Sequence, residues 1–255
     1  AGQCEEHCVV CLPERGEYMN SSPEAYRRDC LLGALSALLM LAGDLCLSVI
    51  PAEPGDSGLF AREAYLNGAF QPWRLPLLLA TGLSGMALSF FTVRASYTQI
   101  RPEYKKTRLA VLIGGVIYMS SAGALHLLIG SLADWTSRLG PVLGREAALS
   151  MIQDQYSRLA LPMLISYAGM FLLALTGVYA ILSKKTILPR WMLAFNMIVL
   201  ELVFVLIPDV RQLLGAGIST WDFVLSQCSG NAALFVWMTA NAVWAGSRKE
   251  TDLYD

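Results

Sequence analysis

Four polar side chains that interrupt long apolar stretches are the residues of this sequence most able to do chemistry. Asp44, His126 and Glu201 each stand among Leu, Val, Ala and Gly neighbours, and Asn231 lies in a fourth such stretch. A charge inside a hydrocarbon layer costs at least about 2.5 kcal/mol, so each ionisable group needs a partner, a cavity or neutralisation. A carboxylate beside an imidazole is also a pairing that exchanges protons near neutral pH. These residues are therefore candidates for binding a ligand or a proton.

The elements that must position these side chains are long apolar helices. Almost uncharged stretches span residues 31–50, 75–93, 109–133, 159–183, 191–208 and 223–247. A helix rises about 1.5 Å per residue, so roughly 20 apolar residues cross a hydrocarbon layer of about 30 Å. The sequence predicts an all-α, polytopic transmembrane bundle of six spans, with the lipid bilayer as its main partner.

Composition supports this fold class and excludes others. The 255 residues are 55% hydrophobic and only 15% charged, whereas soluble domains carry about 25% charge. The formal net charge of −1 excludes a nucleic acid partner, because a phosphate-binding face needs an excess of clustered Lys and Arg. Walker A, Gly-x-Ser-x-Gly and His-Glu-x-x-His motifs are absent from the sequence, so nucleotide-driven work and the familiar hydrolases lack support.

The basic residues predict which side of the membrane each loop occupies. Most of the 19 Lys and Arg residues fall in the N-terminal segment, in loops 94–108 and 184–190, and after the last span. Because cytoplasmic loops are enriched in Lys and Arg, both termini are expected to be cytoplasmic. Five tryptophans then fall near the two membrane interfaces, where their amphipathic rings are favoured: Trp73, Trp135, Trp191, Trp221 and Trp244.

Counting along these spans places the four polar residues at one depth. Near the outer ends of their spans, Asp44 lies six residues before Ile50, His126 six before Leu132 and Glu201 six before Ile207. Asn231 lies eight residues after Phe223, where the last span starts. This is roughly 9 to 12 Å below the outer boundary. Hydroxyls nearby would extend the polar layer: Tyr118, Ser121 and Tyr167, with Ser120 and Ser166. We expect either an outward-facing polar cavity or a buried polar cluster that fixes helix packing.

The sequence divides into a polar tail over residues 1–30, a membrane domain over 31–247 and a cytoplasmic tail over 248–255. Residues 1–18 are interpreted as a leader or a non-native addition, and Ser22 is expected to cap a short helix at Pro23. The tail holds a weak zinc pattern in Cys4, His7, Cys8 and Cys11. Free thiols and disulfide pairing are the alternatives, and no cofactor is predicted. The loop over residues 134–158 contains a helix-forming segment that either caps a cavity or lies on the lipid surface.

Several short motifs carry a resemblance to a known family. They are Leu32-Gly33-Ala34-Leu35 with Ala42-Gly43-Asp44-Leu45, Gly114-Gly115 with His126, and Leu188-Pro189-Arg190-Trp191. The pattern, which extends over most of residues 27–247, resembles a bacterial family of small multi-span membrane proteins whose function is unassigned. The resemblance implies a helical bundle in the bacterial inner membrane, and it transfers no activity and no catalytic residue.

Three functions are compatible with these residues. The first is a plasma-membrane protein whose outward-facing cavity binds or transports a small solute or a proton. The second is a membrane-embedded enzyme that uses His126 and a carboxylate as an acid–base pair on a lipid-like substrate. The third is a structural or accessory subunit whose polar residues hold helices together.

Overall fold

A computed structural model describes residues 22–53, 56 and 62–248. The predicted zinc pattern of Cys4, His7, Cys8 and Cys11, the segment 1–18 and the C-terminal residues from 249 onward lie outside this part of the chain. Within it the fold is all-helical, as predicted, apart from an isolated β-bridge between Ile100 and Thr186.

The chain forms eight α-helices and one 3-10 helix within the described residues. They are α1 (Pro23–Ser48), α2 (Glu63–Leu66), α3 (Arg74–Thr98), α4 (Lys105–Leu143), α5 (Arg145–Arg158), α6 (Ala160–Leu182), the 3-10 helix Arg190–Phe195, α7 (Met197–Leu213) and α8 (Thr220–Gly246).

Four of these helices are long and apolar enough to cross a membrane: α1, α3, α4 and α6. They correspond to the first four predicted spans. The last two predicted spans coincide with α7, which has only 17 residues, and with α8, which carries Gln227, Asn231 and Asn241 among its apolar residues.

The prediction of one continuous helix over residues 191–208 is wrong. The 3-10 helix Arg190–Phe195 ends at Asn196, whose ψ of 138° is extended, and α7 begins at the next residue. The Asn196 side chain accepts a hydrogen bond from the Ile198 backbone N–H at 3.1 Å. Asn196 thus caps α7, a role that Asn fills well because its side-chain oxygen satisfies an orphan N–H group.

Two other helices extend beyond their predicted ends. Ser22 caps α1 as predicted, accepting from the Ala25 N–H at 3.2 Å, but the helix that follows is one continuous element through Ser48 rather than a short separate one. Helix α4 continues ten residues past the predicted end of the third span, to Leu143, and α5 follows immediately. The loop over residues 134–158 is therefore almost entirely helical.

The six long helices form an open ring in the spatial order α6, α4, α3, α1, α8, α7. Helices α6 and α7 make few contacts with each other, and the 3-10 helix Arg190–Phe195 packs against both of them and against α8. We call the end of the ring that carries α2 and α5 the capped end. The opposite end, with the connections before α4 and after α6, is called the loop end.

Small residues set the closest helix contacts. A Cβ added to Gly85 of α3 would lie 2.6 Å from Cγ of Met40 and 2.8 Å from the Ser36 carbonyl oxygen of α1. The Ser36 hydroxyl donates to the Gly85 carbonyl at 2.6 Å. Helices α4 and α6 meet in the same way, at Gly114 and Gly169. Small residues at such sites let helix backbones approach closely.

Three side chains complete the capped end of α1. The last carbonyls of a helix have no partner within it. Here Arg74 donates to Cys46 O at 2.8 Å, Tyr65 donates to Leu47 O, and Arg62 donates to Ser48 O at 3.1 Å and to Ile50 O at 2.9 Å. Two guanidinium groups also complement the negative end of the helix dipole. The end of α1 is therefore fixed about one turn beyond Asp44.

At the loop end, polar contacts join α1 to its neighbours. Asp29 of α1 is fully buried and pairs with Arg94 of α3 at 3.0 Å. The Tyr26 hydroxyl donates to Oδ1 of Asn241 in α8 at 2.8 Å. Of the five tryptophans expected at interfaces, Trp73, Trp135, Trp191 and Trp221 are exposed, whereas Trp244 is buried.

The contact between α1 and α3 predicts a contrast between two glycines of one helix. Gly85→Ala should lower the free energy of unfolding by about 1–3 kcal/mol, because the new methyl group collides with Met40 and the Ser36 carbonyl. Gly82→Ala is the matched control, since its Cβ would lie 3.7 Å from the His126 Cβ, an ordinary contact. Both variants gain the same helix propensity. Unfolding midpoints in detergent measure the difference, and equal midpoints would contradict the close approach.

Candidate functional site

The polar centre of the bundle is a contact among three of the predicted residues, one from each of three helices. Nδ2 of Asn231 in α8 donates to Oδ2 of Asp44 in α1 at 2.7 Å. Nε2 of His126 in α4 lies 3.4 Å from Oδ1 of Asp44 and 3.4 Å from Nδ2 of Asn231. Asp44 and Asn231 are buried, and the His126 side chain is 13% exposed. We call these three residues the polar triad.

The imidazole of His126 can take two roles in this triad. When Nε2 carries a proton it donates to Asp44; when it does not, it accepts from the second N–H of the Asn231 amide. Asn231 donates to the Asp44 carboxylate in both cases. The triad therefore accommodates His126 with Nε2 either as a hydrogen-bond donor or as an acceptor.

A cavity of about 480 Å³ lies beside the triad, inside the open ring. Its size is within the range of about 300–1,000 Å³ that is typical of small-molecule sites. Its walls come from α1, α4, α5, α6, α7 and α8. The polar lining residues are Asp44, Tyr118, His126, Tyr156, Ser166, Tyr167, Glu201, Ser226, Gln227, Ser229 and Asn231.

Glu201 supplies a second carboxylate to the cavity lining and is not part of the polar triad. Its Oε2 atom is buried and has no hydrogen-bond partner among the described residues. A Cβ added to Gly230, the neighbour of Asn231, would lie 3.7 Å from Oε1 of Glu201 and 3.8 Å from the Tyr118 hydroxyl oxygen. Glu201 and Tyr118 thus face the same point on α8. A buried carboxylate oxygen without a donor is costly unless a ligand or a proton satisfies it.

The cavity opens between α6 and α7, the two helices of the ring that make few mutual contacts. Tyr167 of α6 and Val205 of α7 line it, and they are 49% and 37% exposed. The opposite wall is formed by α1, α4 and α8, and it includes the polar triad. The cavity therefore has a polar inner wall and a mouth that faces sideways out of the bundle.

Ser121 is the predicted site residue that does not belong to this cavity. Its hydroxyl donates to the carbonyls of Ile117 at 2.6 Å and Tyr118 at 3.1 Å, within its own helix. Ser120 lines a separate apolar groove between α3 and α4. The other predicted candidates, Asp44, His126, Glu201, Asn231, Tyr118 and Tyr167, all line the cavity.

Several lining residues had no signal in the sequence. Ser226, Gln227 and Ser229 stand in α8 before Asn231, and their polarity alone does not show which face they occupy. Tyr156 belongs to α5 and reaches the mouth from the capped end. Arg62, which does not line the cavity but contacts Gln227 of its wall, also had no signal in the sequence beyond its charge.

Arg62 lies behind the cavity wall and is completely buried. Besides its bonds to the end of α1, its Nη2 approaches Oε1 of Gln227 at 3.5 Å, and its guanidinium lies 4.3 Å from the centroid of the Phe223 ring. Burial lowers the pKa of Arg62 from its ordinary value. Burial likewise raises the pKa of Tyr65 to about 12, so this phenol keeps its proton at physiological pH and continues to donate to α1.

Among the described residues, no group of three or more His, Cys, Asp and Glu side chains is placed to hold a metal ion. Cys30, Cys46 and Cys228 are buried with free thiols. Cys228 contributes a contact between its Sγ and the Ser48 hydroxyl at 3.3 Å, next to the triad.

Comparison with known proteins gives one match. The model of a family of unknown function, DUF6796, matches residues 19–220. The matched region includes Asp44, His126 and Glu201 and ends at the first residue of α8. No curated protein and no solved structure matches the chain.

The triad predicts that Asn231 contributes more to stability than its neighbours in the cavity wall. Asn231→Ala should lower the free energy of unfolding by about 1–3 kcal/mol, because the buried Asp44 carboxylate loses its shortest hydrogen bond. Ser226→Ala is the control, since it changes a polar lining residue of the same helix with no such bond. Denaturant unfolding in detergent measures both variants, and an Asn231→Ala protein as stable as Ser226→Ala would contradict this role.

Proposed function

We propose a function for this chain, which belongs to the DUF6796 family of unknown function, from the chemistry of its own cavity. The protein spans the bacterial plasma membrane six times, with both termini in the cytoplasm. It binds a small solute in the cavity between α6 and α7, and His126 exchanges a proton there. This activity is that of a solute carrier.

The observation that carries this proposal is the placement of costly polar groups around one space. Asp44, His126 and Asn231 contact one another, and Glu201 adds a carboxylate whose Oε2 has no partner among the described residues. Polar groups that served only to fix helix packing would satisfy one another. Glu201 instead faces a cavity large enough for a ligand.

Helix length supports the proposed six crossings. The four long apolar helices account for four of them. Helix α7 is about 26 Å long at 1.5 Å per residue, and the 3-10 helix before it adds further length. Helix α8 has 27 residues and contributes its polar side chains to the interior of the ring. In this arrangement the loop end, with its Lys and Arg residues, faces the cytoplasm.

A second candidate function is a membrane-embedded acid–base enzyme acting on a lipid-like substrate. The contact between His126 and Asp44 favours it, because a carboxylate orients an imidazole that serves as a general base. Product formation without solute movement would support the enzyme, whereas solute movement without chemical change would support the carrier.

The proposed topology predicts which positions are reachable from outside an intact cell. In a background in which the six native cysteines are replaced by Ser, a membrane-impermeant thiol reagent should label Glu146→Cys at the capped end. It should label Lys106→Cys only after the membrane is opened. Both positions are exposed, so access to the side chain does not differ. The reverse labelling pattern would contradict the orientation.

Isosteric neutral substitutions separate a binding site from a packing cluster. Asp44→Asn, His126→Gln and Glu201→Gln should leave the protein folded, and Glu201→Gln should keep or raise the unfolding midpoint, because it removes a buried charge that lacks a partner. Midpoints measured in detergent decide the question. A collapse of stability in all three variants would support the structural role and contradict the site.

Solute binding itself is tested by thermal stabilisation of the full chain in detergent. In a panel of an amine, an amino acid, a sugar, a carboxylate and a nucleoside, we expect at least one class to raise the midpoint, since ligand at a hundred times its Kd stabilises by about 2.7 kcal/mol. Gly230→Val should abolish the shift by placing a side chain between Glu201 and Tyr118, with Gly230→Ala as the milder variant.

Asp209→Asn is the matched control for Glu201→Gln. It removes an exposed carboxylate from the same helix, outside the cavity, and should leave the shift intact. The solute that binds is then followed into proteoliposomes with a pH gradient. Absence of any shift in the wild-type protein, or a shift that survives Gly230→Val, would contradict the proposed function.

A further inference from the structure

We infer that the solute is an organic ammonium ion with an apolar, preferably aromatic, part. This inference rests on the proposed function, since it names the chemical class that the same cavity would take. The charge of the lining, its aromatic groups and the direction of the mouth support it.

The lining of the cavity is negatively charged. Asp44 and Glu201 are its acids, His126 is its single basic group, and no Lys or Arg among the described residues lines it. With both carboxylates ionised, the wall carries two negative charges when His126 is neutral and one when it is protonated. In either case a cation is favoured over an anion of the same shape.

The nearby cations are held by other partners. Arg62 donates to two backbone carbonyls at the end of α1 and lies against Phe223. Arg74 donates to Cys46 O, and Arg211 pairs with Asp222 at 3.4 Å. Neither Asp44 nor Glu201 forms a salt bridge with Lys or Arg within the described part of the chain. A ligand ammonium is the group that would meet this negative wall.

Glu201 lacks a hydrogen-bond donor for one of its carboxylate oxygens among the described residues. Its buried Oε2 needs a donor, and an ammonium group supplies donors together with a positive charge. A hydroxyl would satisfy the oxygen without the charge. A carboxylate ligand would place a like charge beside Glu201 and Asp44, which is unfavourable in a site of low dielectric constant.

The lining also has an aromatic and an apolar part. Tyr118, Tyr156 and Tyr167 line the cavity, and the faces of aromatic rings attract ammonium ions. Leu125, Ile129 and Met170 add apolar surface to the same lining. The mouth between α6 and α7 faces sideways, toward lipid in the proposed topology. An amphiphilic amine meets all of these features, whereas a sugar or a free inorganic cation does not.

Three ligands of nearly equal shape test this assignment: phenethylamine, phenethyl alcohol and 3-phenylpropanoate. With the full chain in detergent at neutral pH, we expect phenethylamine to raise the unfolding midpoint most and 3-phenylpropanoate least. Glu201→Gln should weaken phenethylamine binding about tenfold, which corresponds to about 1.4 kcal/mol. Asp209→Asn should bind phenethylamine as the wild-type protein does.

The outcomes separate this inference from the proposed function. Stronger binding of phenethyl alcohol or 3-phenylpropanoate that is lost in Gly230→Val would overturn the ammonium assignment and keep the cavity as the site. If phenethylamine does not bind while another solute class of the panel described above does, the ammonium assignment is likewise overturned and the cavity is kept as the site. Phenethylamine binding that is unchanged in both Glu201→Gln and Gly230→Val would place the ligand elsewhere and overturn both.

Discussion

The hydrogen bond from Asn231 to Asp44 is the interaction on which the arrangement of the bundle depends. It joins α8 to α1 deep in the apolar part of the fold, and His126 extends the contact to α4. A buried carboxylate that loses a hydrogen-bond donor destabilises a protein by about 1–3 kcal/mol, so these helices are held at one relative height. The cap on the last carbonyls of α1 fixes that height from the other side, about one turn beyond Asp44.

The cavity is a consequence of unequal helix packing. Gly85 lets α3 approach α1, and Gly114 and Gly169 let α4 and α6 meet with their backbones almost in contact. Helices α6 and α7 have no such glycine contact, and α7 follows an interruption of the helix at Asn196 rather than a tight turn. The tightly packed part of the ring supplies the stability. The loosely joined part leaves room beside the polar triad.

Much of this arrangement could be predicted from the sequence, because depth in a membrane follows from counting residues along a helix. The shared level of Asp44, His126 and Asn231 required only span ends and the helical rise. Which side of a helix faces the cavity is harder to predict. The α4 residues that line the cavity recur at helical spacing: Tyr118, Ala122, Leu125, His126 and Ile129. Ser121 lies beside this row on the helix surface, and its hydroxyl donates to carbonyls of its own helix. Hydropathy could not predict the interruption of the helix at Asn196, because an N-cap is a preference of a single residue that the mean hydropathy of a span does not show.

The distribution of charge explains why an otherwise apolar protein keeps carboxylates without Lys or Arg partners. Arg62 and Arg74 donate to backbone carbonyls at the end of α1, and Arg211 pairs with Asp222. These arginines therefore stabilise helix ends rather than Asp44 or Glu201. Within the described residues, His126 is the basic side chain that contacts Asp44. Glu201 has no basic partner there; it lines the cavity, and its buried Oε2 has no hydrogen-bond partner among these residues. A fold that needed only helix packing would place an amide or a hydroxyl there, because neither carries a charge that must be desolvated. A carboxylate at this position is therefore better explained by a positively charged ligand than by packing.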